Sequence, residues 1–222
     1  NGKEYLDMFS MFASGAIGYN HPRLVENQEM LGRVALSKPT LSDIYNSDYA
    51  EFVRVFDEIA IPDYLKHAFF VEGGALGVEN ALKIAFDWKV RKNIEAGKGE
   101  KGLKVIHFKQ AFHGRTGYTL SLTNTSDPRK TMYFPKFDWP RVDNPYLRFP
   151  ITNEVIDEVK LKEAATIAQI KDAIAINPDD IAALIMEPIQ GEGGDHQFRD
   201  EFFVQIRQLC DENDIIFILD EV

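Results

Sequence analysis

The sequence contains one cysteine, Cys210, among its 222 residues. A single cysteine cannot form a disulfide within the chain and fits a reducing compartment, which excludes the disulfide-rich secreted class. Cys210 lies in an apolar helical pattern, so we predict a core residue and not a nucleophile. The sequence also has no signal peptide and no apolar run long enough to span a membrane. We therefore expect a soluble, cytoplasmic protein with no membrane partner.

Positive charge is in the minority, since 25 Lys and Arg residues stand against 35 Asp and Glu residues, a net charge of −10. This balance argues against a surface that binds nucleic acid. Two nucleotide-binding patterns are missing as well. The chain has no G-x-x-x-x-G-K-[ST] run and no G-x-G-x-x-G run, which weighs against a P-loop NTPase and against a dinucleotide-binding domain.

No linker rich in Pro, Gly and Ser divides the chain, and its 45% hydrophobic content is enough for one large domain. Helical spacing alternates with continuous apolar strands, which predicts an α/β fold with a mostly parallel sheet flanked by helices. The predicted helices cover 23–36, 49–67, 154–176 and 200–212, with a short one from about 117. The predicted strands cover 5–12, 103–108, 181–186 and 215–219. We expect polar or flexible connections at 37–48 and 96–102, and a long ordered loop at 126–153 that lines a site.

The segment from Phe69 to Gly74 and the helix predicted after it form the first candidate site. The apolar strand end Phe69–Val71 leads into Gly73 and Gly74, and a helical pattern then begins. One face of this helix is predicted to be buried, formed by Val78, Ala81, Leu82, Ala85 and Trp88. Glycines at such a turn let the backbone approach a ligand, and the free N–H groups of the first helical turn suit a phosphate. The alternative is a plain tight turn without a ligand.

Three further segments, 112–115, 187–194 and 220–221, also follow predicted strands, where open α/β sheets bind ligands. Asp220 comes after five apolar residues, and a carboxylate there is costly to bury unless a cation pairs with it. Two interpretations remain open from the residues alone. In one, Asp220 holds magnesium at a Walker-B-like strand; in the other, it pairs with a protonated pyridine nitrogen. The missing P-loop lysine weighs against the first, and we assign no metal site.

The other candidates each have a plain alternative. Phe112 could stack on a planar ring or pack in the core, and Arg115 could hold a carboxylate or form a surface ion pair. Glu187 and Glu192 could act in a site or be solvated loop acids. We interpret His113 as structural.

Four segments together resemble the class III (ω-type) aminotransferases, which are fold-type I pyridoxal phosphate enzymes. They are Val71–Lys83, Ala111–Thr116, Met186–Gly194 and Leu219–Val222. The resemblance is collinear and covers nearly the whole chain. Within the family, the chain is most similar to the branch that acts on the ε-amine of lysine, on the strength of Glu72–Leu76, Phe134–Arg141 and Gly194–Arg199. Leu76, where many relatives carry Glu, resembles the same branch.

The resemblance implies a role for each candidate. Gly74 and Ala75 would bind the cofactor phosphate, Phe112 would stack on its ring, and Asp220 would pair with its ring nitrogen. Arg115 would bind the α-carboxylate of lysine. Glu192 would be a gating glutamate, and Glu187 an active-site acid. No lysine here fits the motif of the Schiff-base lysine, which we expect beyond Val222.

The resemblance also implies a fragment, with an N-terminal segment at 1–48 and part of the large cofactor-binding domain at 49–222, inactive by itself. In the intact enzyme, a homodimer, the ε-amine of L-lysine would pass to 2-oxoglutarate, giving 2-aminoadipate 6-semialdehyde and glutamate. Ornithine, acetylornithine or 4-aminobutyrate is the alternative amine donor. A non-enzymatic nucleotide-binding α/β module is the alternative from another class.

Overall fold

The computed structural model describes residues 2–12, 14–37 and 45–222. The chain divides into two compact units, Asn1–Phe69 and Phe70–Val222. Three helices occupy the described part of the first unit, namely α1 (Pro22–Glu26), α2 (Gln28–Leu36) and α3 (Ser47–Ile59). The predicted domain boundary at 48/49 stays a prediction. No helix within the described ranges is both long and apolar enough to cross a membrane.

The first unit departs from the predicted elements in four places. The helix predicted for 23–36 is interrupted at Asn27, which separates α1 from α2. The strand predicted for 5–12 is wrong, because the Asp7 carboxylate accepts the N–H groups of Phe9 and Ser10 at 2.8 and 3.0 Å and turns the chain there. The helix predicted for 49–67 ends at Ile59, shortly before Pro62. The predicted connection 37–48 falls mostly outside the described residues, and α3 begins within it.

The second unit carries the remaining elements. Its helices are α4 (Gly74–Glu95), α5 (Thr119–Leu122), α6 (Asn153–Ile176), α7 (Gly191–Gly194) and α8 (Asp200–Glu212), with a 3₁₀ turn at Pro128–Lys130. Its strands are β1 (Lys104–Phe108), β2 (Arg141–Val142), β3 (Ile181–Met186), β4 (Ile189–Gln190), β5 (His196–Gln197) and β6 (Ile216–Leu219).

A four-stranded sheet of order β2-β1-β3-β6, with every pair parallel, forms the centre of this unit. All six residues of β3 are buried. Alternate side chains of the strands enter two separate cores, so Ile106 and Leu184 pack on one face and Val105 and Ile185 on the other. The predicted α/β fold with a mostly parallel sheet flanked by helices is therefore confirmed.

Two further segments differ from the prediction, namely Phe69–Val71, where the first unit ends and the second begins, and the loop 126–153. Phe69–Val71 is not a strand, since no strand in the described ranges runs beside it to complete a ladder. The loop predicted for 126–153 contributes the short edge strand β2, whose two residues carry too little pattern to be recognised.

Helix α4 buries polar side chains as well as apolar ones. Lys89 is only 4% exposed. Its ammonium donates to the backbone oxygens of Asp214 and Asn213 at 2.8 and 3.4 Å, just beyond the end of α8. A Cβ added at Gly102 would lie 2.5 Å from the Lys89 Cγ, so this side chain is closely packed. Of the predicted buried face, Ala81 and Trp88 are only half-buried. Lys89 thus links α4 to the far end of the chain.

Candidate active site

The tripeptide Phe112–Gly114 lies where three segments meet, in the loop after β1. The Phe112 N–H donates to the Glu187 Oε1 at 2.7 Å. The His113 Nδ1 lies 2.8 Å from the Asp220 Oδ2. Gly114 packs against Ala75, because a Cβ added at Gly114 would lie 2.7 Å from the Ala75 Cβ, and its φ of +109° also favours glycine. The tripeptide therefore joins the α4 turn to the ends of β3 and β6.

The N-terminus of α4 presents two free backbone donors. Gly73 begins the turn with a φ of +88°, and its carbonyl accepts the N–H groups of Leu76 and Gly77, both at 3.1 Å. The N–H groups of Gly74 and Ala75 find no acceptor in the part of the chain that the structure describes. Since α4 runs for 22 residues, its dipole places partial positive charge at this end. The turn is built to receive an anion.

Asp220 stands at the carboxyl end of β6, where its N–H donates to the Met186 oxygen at 2.9 Å. Its side chain is 16% exposed. The Oδ2 atom is occupied by His113, whereas Oδ1 has no partner within residues 2–12, 14–37 and 45–222. One carboxylate oxygen is thus held by the protein and the other remains available.

His113 was interpreted as merely structural, and the structure shows a more specific contact. Its side chain is fully buried, and its Nδ1 faces Asp220. Its backbone N–H donates to the Thr123 Oγ1 at 3.0 Å, and that hydroxyl in turn donates to the Gly114 oxygen at 2.7 Å. The Nε2 atom is buried without a partner among the described residues. The position of His113 beside Phe112 at a strand end was the available sequence clue.

Glu187 is 1% exposed and holds two loops together. Its Oε1 accepts the Phe112 N–H, and its Oε2 accepts the Gly191 N–H at 3.1 Å. Burial raises the pKa of Glu187 above its ordinary value, while the two amide hydrogen bonds and the nearby His113 act in the opposite direction. Both oxygens are engaged by backbone amides, so the geometry suits a positioning role.

Glu192 occupies a different environment in the same segment. Its Oε1 lies 2.7 Å from the Lys130 Nζ, and the two side chains are 28% and 40% exposed. The flanking glycines differ. A Cβ added at Gly191 would meet nothing within 4 Å, whereas one at Gly193 would lie 2.3 Å from the Gln110 backbone oxygen. The chain is therefore closely packed on one side of Glu192 and open on the other.

Arg115 is exposed and forms no ion pair within the described residues. The structure thus connects Ala75, Phe112, Glu187 and Asp220 by direct contacts, but it brings neither Arg115 nor Glu192 into contact with them. We call the buried or half-buried group Phe112, His113, Glu187 and Asp220 the floor of the site. We call the exposed or partly exposed group Arg115, Lys130 and Glu192 its rim.

Sequence reasoning also missed Glu79, which shapes the loop after Arg115. Glu79 is 8% exposed, and its Oε1 accepts the Thr116 hydroxyl at 2.5 Å and the Tyr118 N–H at 2.7 Å. Nothing in the sequence marks it, because a glutamate on a helix is usually solvated.

The donors and acceptors of this site fit pyridoxal phosphate, the cofactor that the resemblance implies. Two amides at a helix N-terminus lack an acceptor among the described residues, which suits a phosphate. Phe112 is half-buried, so its ring could stack on a planar group. The Asp220 Oδ1, which no described residue contacts, could accept a hydrogen bond from a protonated ring nitrogen. These features are complementary to a phosphorylated, nitrogen-containing ring.

Comparison with known proteins gives the family that the sequence motifs resemble. The family model described as aminotransferase class-III matches residues 1–222. L-lysine-epsilon aminotransferase of Mycobacterium tuberculosis is 51% identical over 225 residues, which cover 100% of this chain and 49% of that protein. The probable mitochondrial 4-aminobutyrate aminotransferase of Caenorhabditis elegans is 32% identical over 242 residues, covering 100% of this chain and 50% of that protein.

A solved structure agrees with the fold. It is lysine aminotransferase from M. tuberculosis in the internal aldimine form, with a TM-score of 0.92 and 50% identity, covering 99% of this chain and 50% of that one. The chain spans about half the length of the relatives it matches. The family model extends over every residue of the chain, and the fold agrees. The chain belongs to the class III aminotransferase family.

Proposed function

We propose that the intact protein is a pyridoxal phosphate-dependent aminotransferase that takes the ε-amino group of L-lysine and passes it to 2-oxoglutarate. The products would be 2-aminoadipate 6-semialdehyde and glutamate. Family membership supports the reaction class, and the higher identity to an L-lysine-epsilon aminotransferase than to a 4-aminobutyrate aminotransferase supports lysine as donor. A homodimer, which the family resemblance implies, and a cytoplasmic location, which the single cysteine and the sequence pattern favour, are part of the proposal.

The single observation that carries this proposal is the set of contacts made by Phe112–Gly114. One tripeptide touches the helix turn with its free amides, the carboxylate of Asp220 and the buried Glu187. A shift in any of these three segments would move the other two. Groups that would bind a phosphate and a ring nitrogen are thereby held at fixed separation, as preorganised catalysis requires.

Each floor residue has a proposed task. The Gly74 and Ala75 amides would hold the phosphate, Phe112 would face the ring, and Asp220 would keep the ring nitrogen protonated. His113 would donate from Nδ1 to Asp220 and so fix the orientation of that carboxylate. The bound cofactor supplies an electron-accepting ring that carries the amino group between the two substrates. Glu187 would act as a positioning acid that holds Phe112 in place.

The rim would distinguish the two substrates. Lysine presents its ε-amine and so keeps its α-carboxylate far from the reacting atoms, where the unpaired Arg115 could bind it. Glutamate presents its α-amine and needs a cation nearer to them. The family resemblance implies that this second cation is an arginine outside these 222 residues. We propose that Glu192 pairs with that arginine during the lysine half-reaction and moves away from it when the dicarboxylate binds.

The test uses purified intact protein. We expect visible absorbance from bound pyridoxal phosphate, and loss of that absorbance when L-lysine is added without an acceptor. A panel of lysine, ornithine, acetylornithine and 4-aminobutyrate should give the highest kcat/KM with lysine, and Arg115→Ala should raise the KM for lysine more than that for 2-oxoglutarate. A colourless protein without amine transfer would refute the reaction class, and a better rate with another donor would refute the substrate.

A further inference from the structure

We infer that Lys130 is a positioning residue that holds Glu192 in its withdrawn position and so favours the dicarboxylate half-reaction. This inference rests on the proposed function, in which Glu192 must leave the second cation before the dicarboxylate can bind. In the structure Glu192 is paired with Lys130, and we take this to be the withdrawn position, in which Glu192 does not cover the second cation. Lys130 is the one residue in the described ranges that forms an ion pair with Glu192, at 2.7 Å.

Both partners are carried by segments anchored on the same residue. The segment before Lys130 is tied down at Asn124, whose N–H donates to the Ala111 oxygen at 2.8 Å and whose Oδ1 accepts the Gln110 N–H at 3.0 Å. The segment of Glu192 packs through Gly193 on the Gln110 backbone oxygen. Because both segments rest on Gln110, the approach of Lys130 to Glu192 is a property of the backbone as well as of two long side chains.

Arg129 and Lys130 are neighbours in the 3₁₀ turn, but they pair with different carboxylates. The Asp127 carboxylate accepts the Arg129 N–H at 3.1 Å and then binds the Arg129 guanidinium through two hydrogen bonds of 2.9 Å. Arg129 is 84% exposed and bonded within its own turn. Lys130, one residue later, instead reaches across 62 residues of sequence to Glu192. Arg129 is therefore a matched control for Lys130.

The Lys130–Glu192 ion pair is weak enough for Glu192 to form it and break it once in each catalytic cycle. Ion pairs between partly exposed side chains contribute little net stability. A carboxylate can exchange such a partner for another cation at small cost, and a small bias is enough to shift the populations of two positions. Loss of Lys130 should therefore return Glu192 to the second cation, where it competes with an incoming dicarboxylate.

Under the proposed function, Glu192→Ala should impair the lysine half-reaction and spare or improve that with the dicarboxylate, because the second cation stays uncovered. We expect Lys130→Ala to have the opposite effect. We expect Lys130→Ala to raise the KM for 2-oxoglutarate about 2- to 5-fold, the scale of a partly exposed ion pair, with the lysine half-reaction unchanged or faster. Glutarate, a dicarboxylate that cannot react, should bind to the cofactor-loaded protein with a Kd raised by a similar factor in calorimetric titration. Lys130→Arg should restore both values, and Arg129→Ala should leave both unchanged.

A double variant separates positioning from direct binding. If Lys130 acts only through Glu192, its substitution has no effect in the Glu192→Ala background. An equal loss of glutarate affinity in both backgrounds would mean that Lys130 binds the ligand itself, and the inference would be overturned. An unchanged Kd and KM in Lys130→Ala would overturn it as well. Absence of any amine transfer by the unsubstituted protein would instead be a failure of the proposed function.

Discussion

The floor and the rim of the site hold their carboxylates in different ways. In the floor, Glu187 is buried and bonded to two backbone amides, and Asp220 is fixed by a fully buried histidine. In the rim, Glu192 is partly exposed and paired with a single flexible lysine. The two glutamates are five residues apart in one segment, so local sequence does not cause the difference. It arises from what the neighbouring loops offer to each carboxylate.

The floor carboxylates have a fixed orientation, whereas the rim carboxylate can change its partner. Groups that stabilise developing charge work best when their orientation is set before the reaction, as in the floor. A group that must serve two substrates in turn needs partners that it can exchange, as in the rim. Floor substitutions should therefore affect both half-reactions or the stability of the protein, and rim substitutions should separate the two half-reactions.

The largest effect is expected at Asp220. Asp220→Asn in the intact protein keeps the shape but removes the charge that we propose to face the ring nitrogen. We expect both half-reactions to slow on the order of 10²-fold or more, the scale of a lost transition-state charge interaction. Single-turnover absorbance changes with lysine and with glutamate measure this. If only one half-reaction slowed, Asp220 would act like a rim residue, and the distinction between floor and rim would be wrong.

The next effect is expected at Glu187. Glu187→Ala leaves the Phe112 N–H without its acceptor in a half-buried position, whereas the more exposed Gly191 N–H can turn to water. We expect the free energy of unfolding to fall by about 1–3 kcal/mol, the cost of one unsatisfied buried group. Urea unfolding of the intact protein checks this, and an unchanged midpoint would show that Glu187 does not hold the loops.

The titration of Glu187 adds a pH dependence. Because burial raises its pKa above the ordinary value of 4.5, the folded protein keeps a proton that the unfolded chain has already released. The resulting stabilisation is complete below pH 4.5 and is lost as the pH rises through the folded pKa. Glu187→Gln cannot titrate. The difference in unfolding free energy, wild type minus Glu187→Gln, should therefore decrease as the pH rises above 4.5. If the two proteins showed the same dependence of unfolding free energy on pH, this prediction would be wrong.

The smallest effect on the reaction is expected at the glycines beside Glu192. Gly193→Ala places a Cβ 2.3 Å from a backbone oxygen, so the backbone must shift, while Gly191→Ala meets no atom within 4 Å. We expect Gly193→Ala to cost about 1–3 kcal/mol of stability, the usual range of overpacking effects, and to change the ratio of the two half-reaction rates. Gly191→Ala is the control. If both variants behave alike, the contact with Gln110 does not position Glu192.

The sequence was informative where burial and periodicity coincide. The strand at 181–186, buried along its whole length, and the helices 154–176 and 200–212 stand within a residue of their predicted bounds. It failed where local hydrogen bonds overrode a pattern, as at Asp7, and where an apolar run has no neighbouring strand among the described residues, as at Phe69–Val71. An apolar run predicts burial but does not say which strand will pair with it.

For the site, strand-end position predicted that 112–115, 187–194 and 220–221 converge, and the structure joins them through Phe112 and His113. The individual partners could not be predicted. The contact between Lys130 and Glu192 spans 62 residues of sequence, and the close approach of Gly114 to Ala75 depends on the fold as a whole. Neither leaves a local pattern in the chain. The roles assigned to the site residues stay predictions.

The buried ammonium of Lys89 sets an order of events during synthesis of the chain. Its nearest acceptor, the Asp214 oxygen, lies 125 residues further along the sequence. At roughly 5–20 residues per second, a ribosome adds those residues in about 6–25 seconds. During that interval α4 lacks its contact with Asp214, although the glycine turn at its N-terminus has already been synthesised. Helix α4 therefore completes its packing only after translation has passed residue 214.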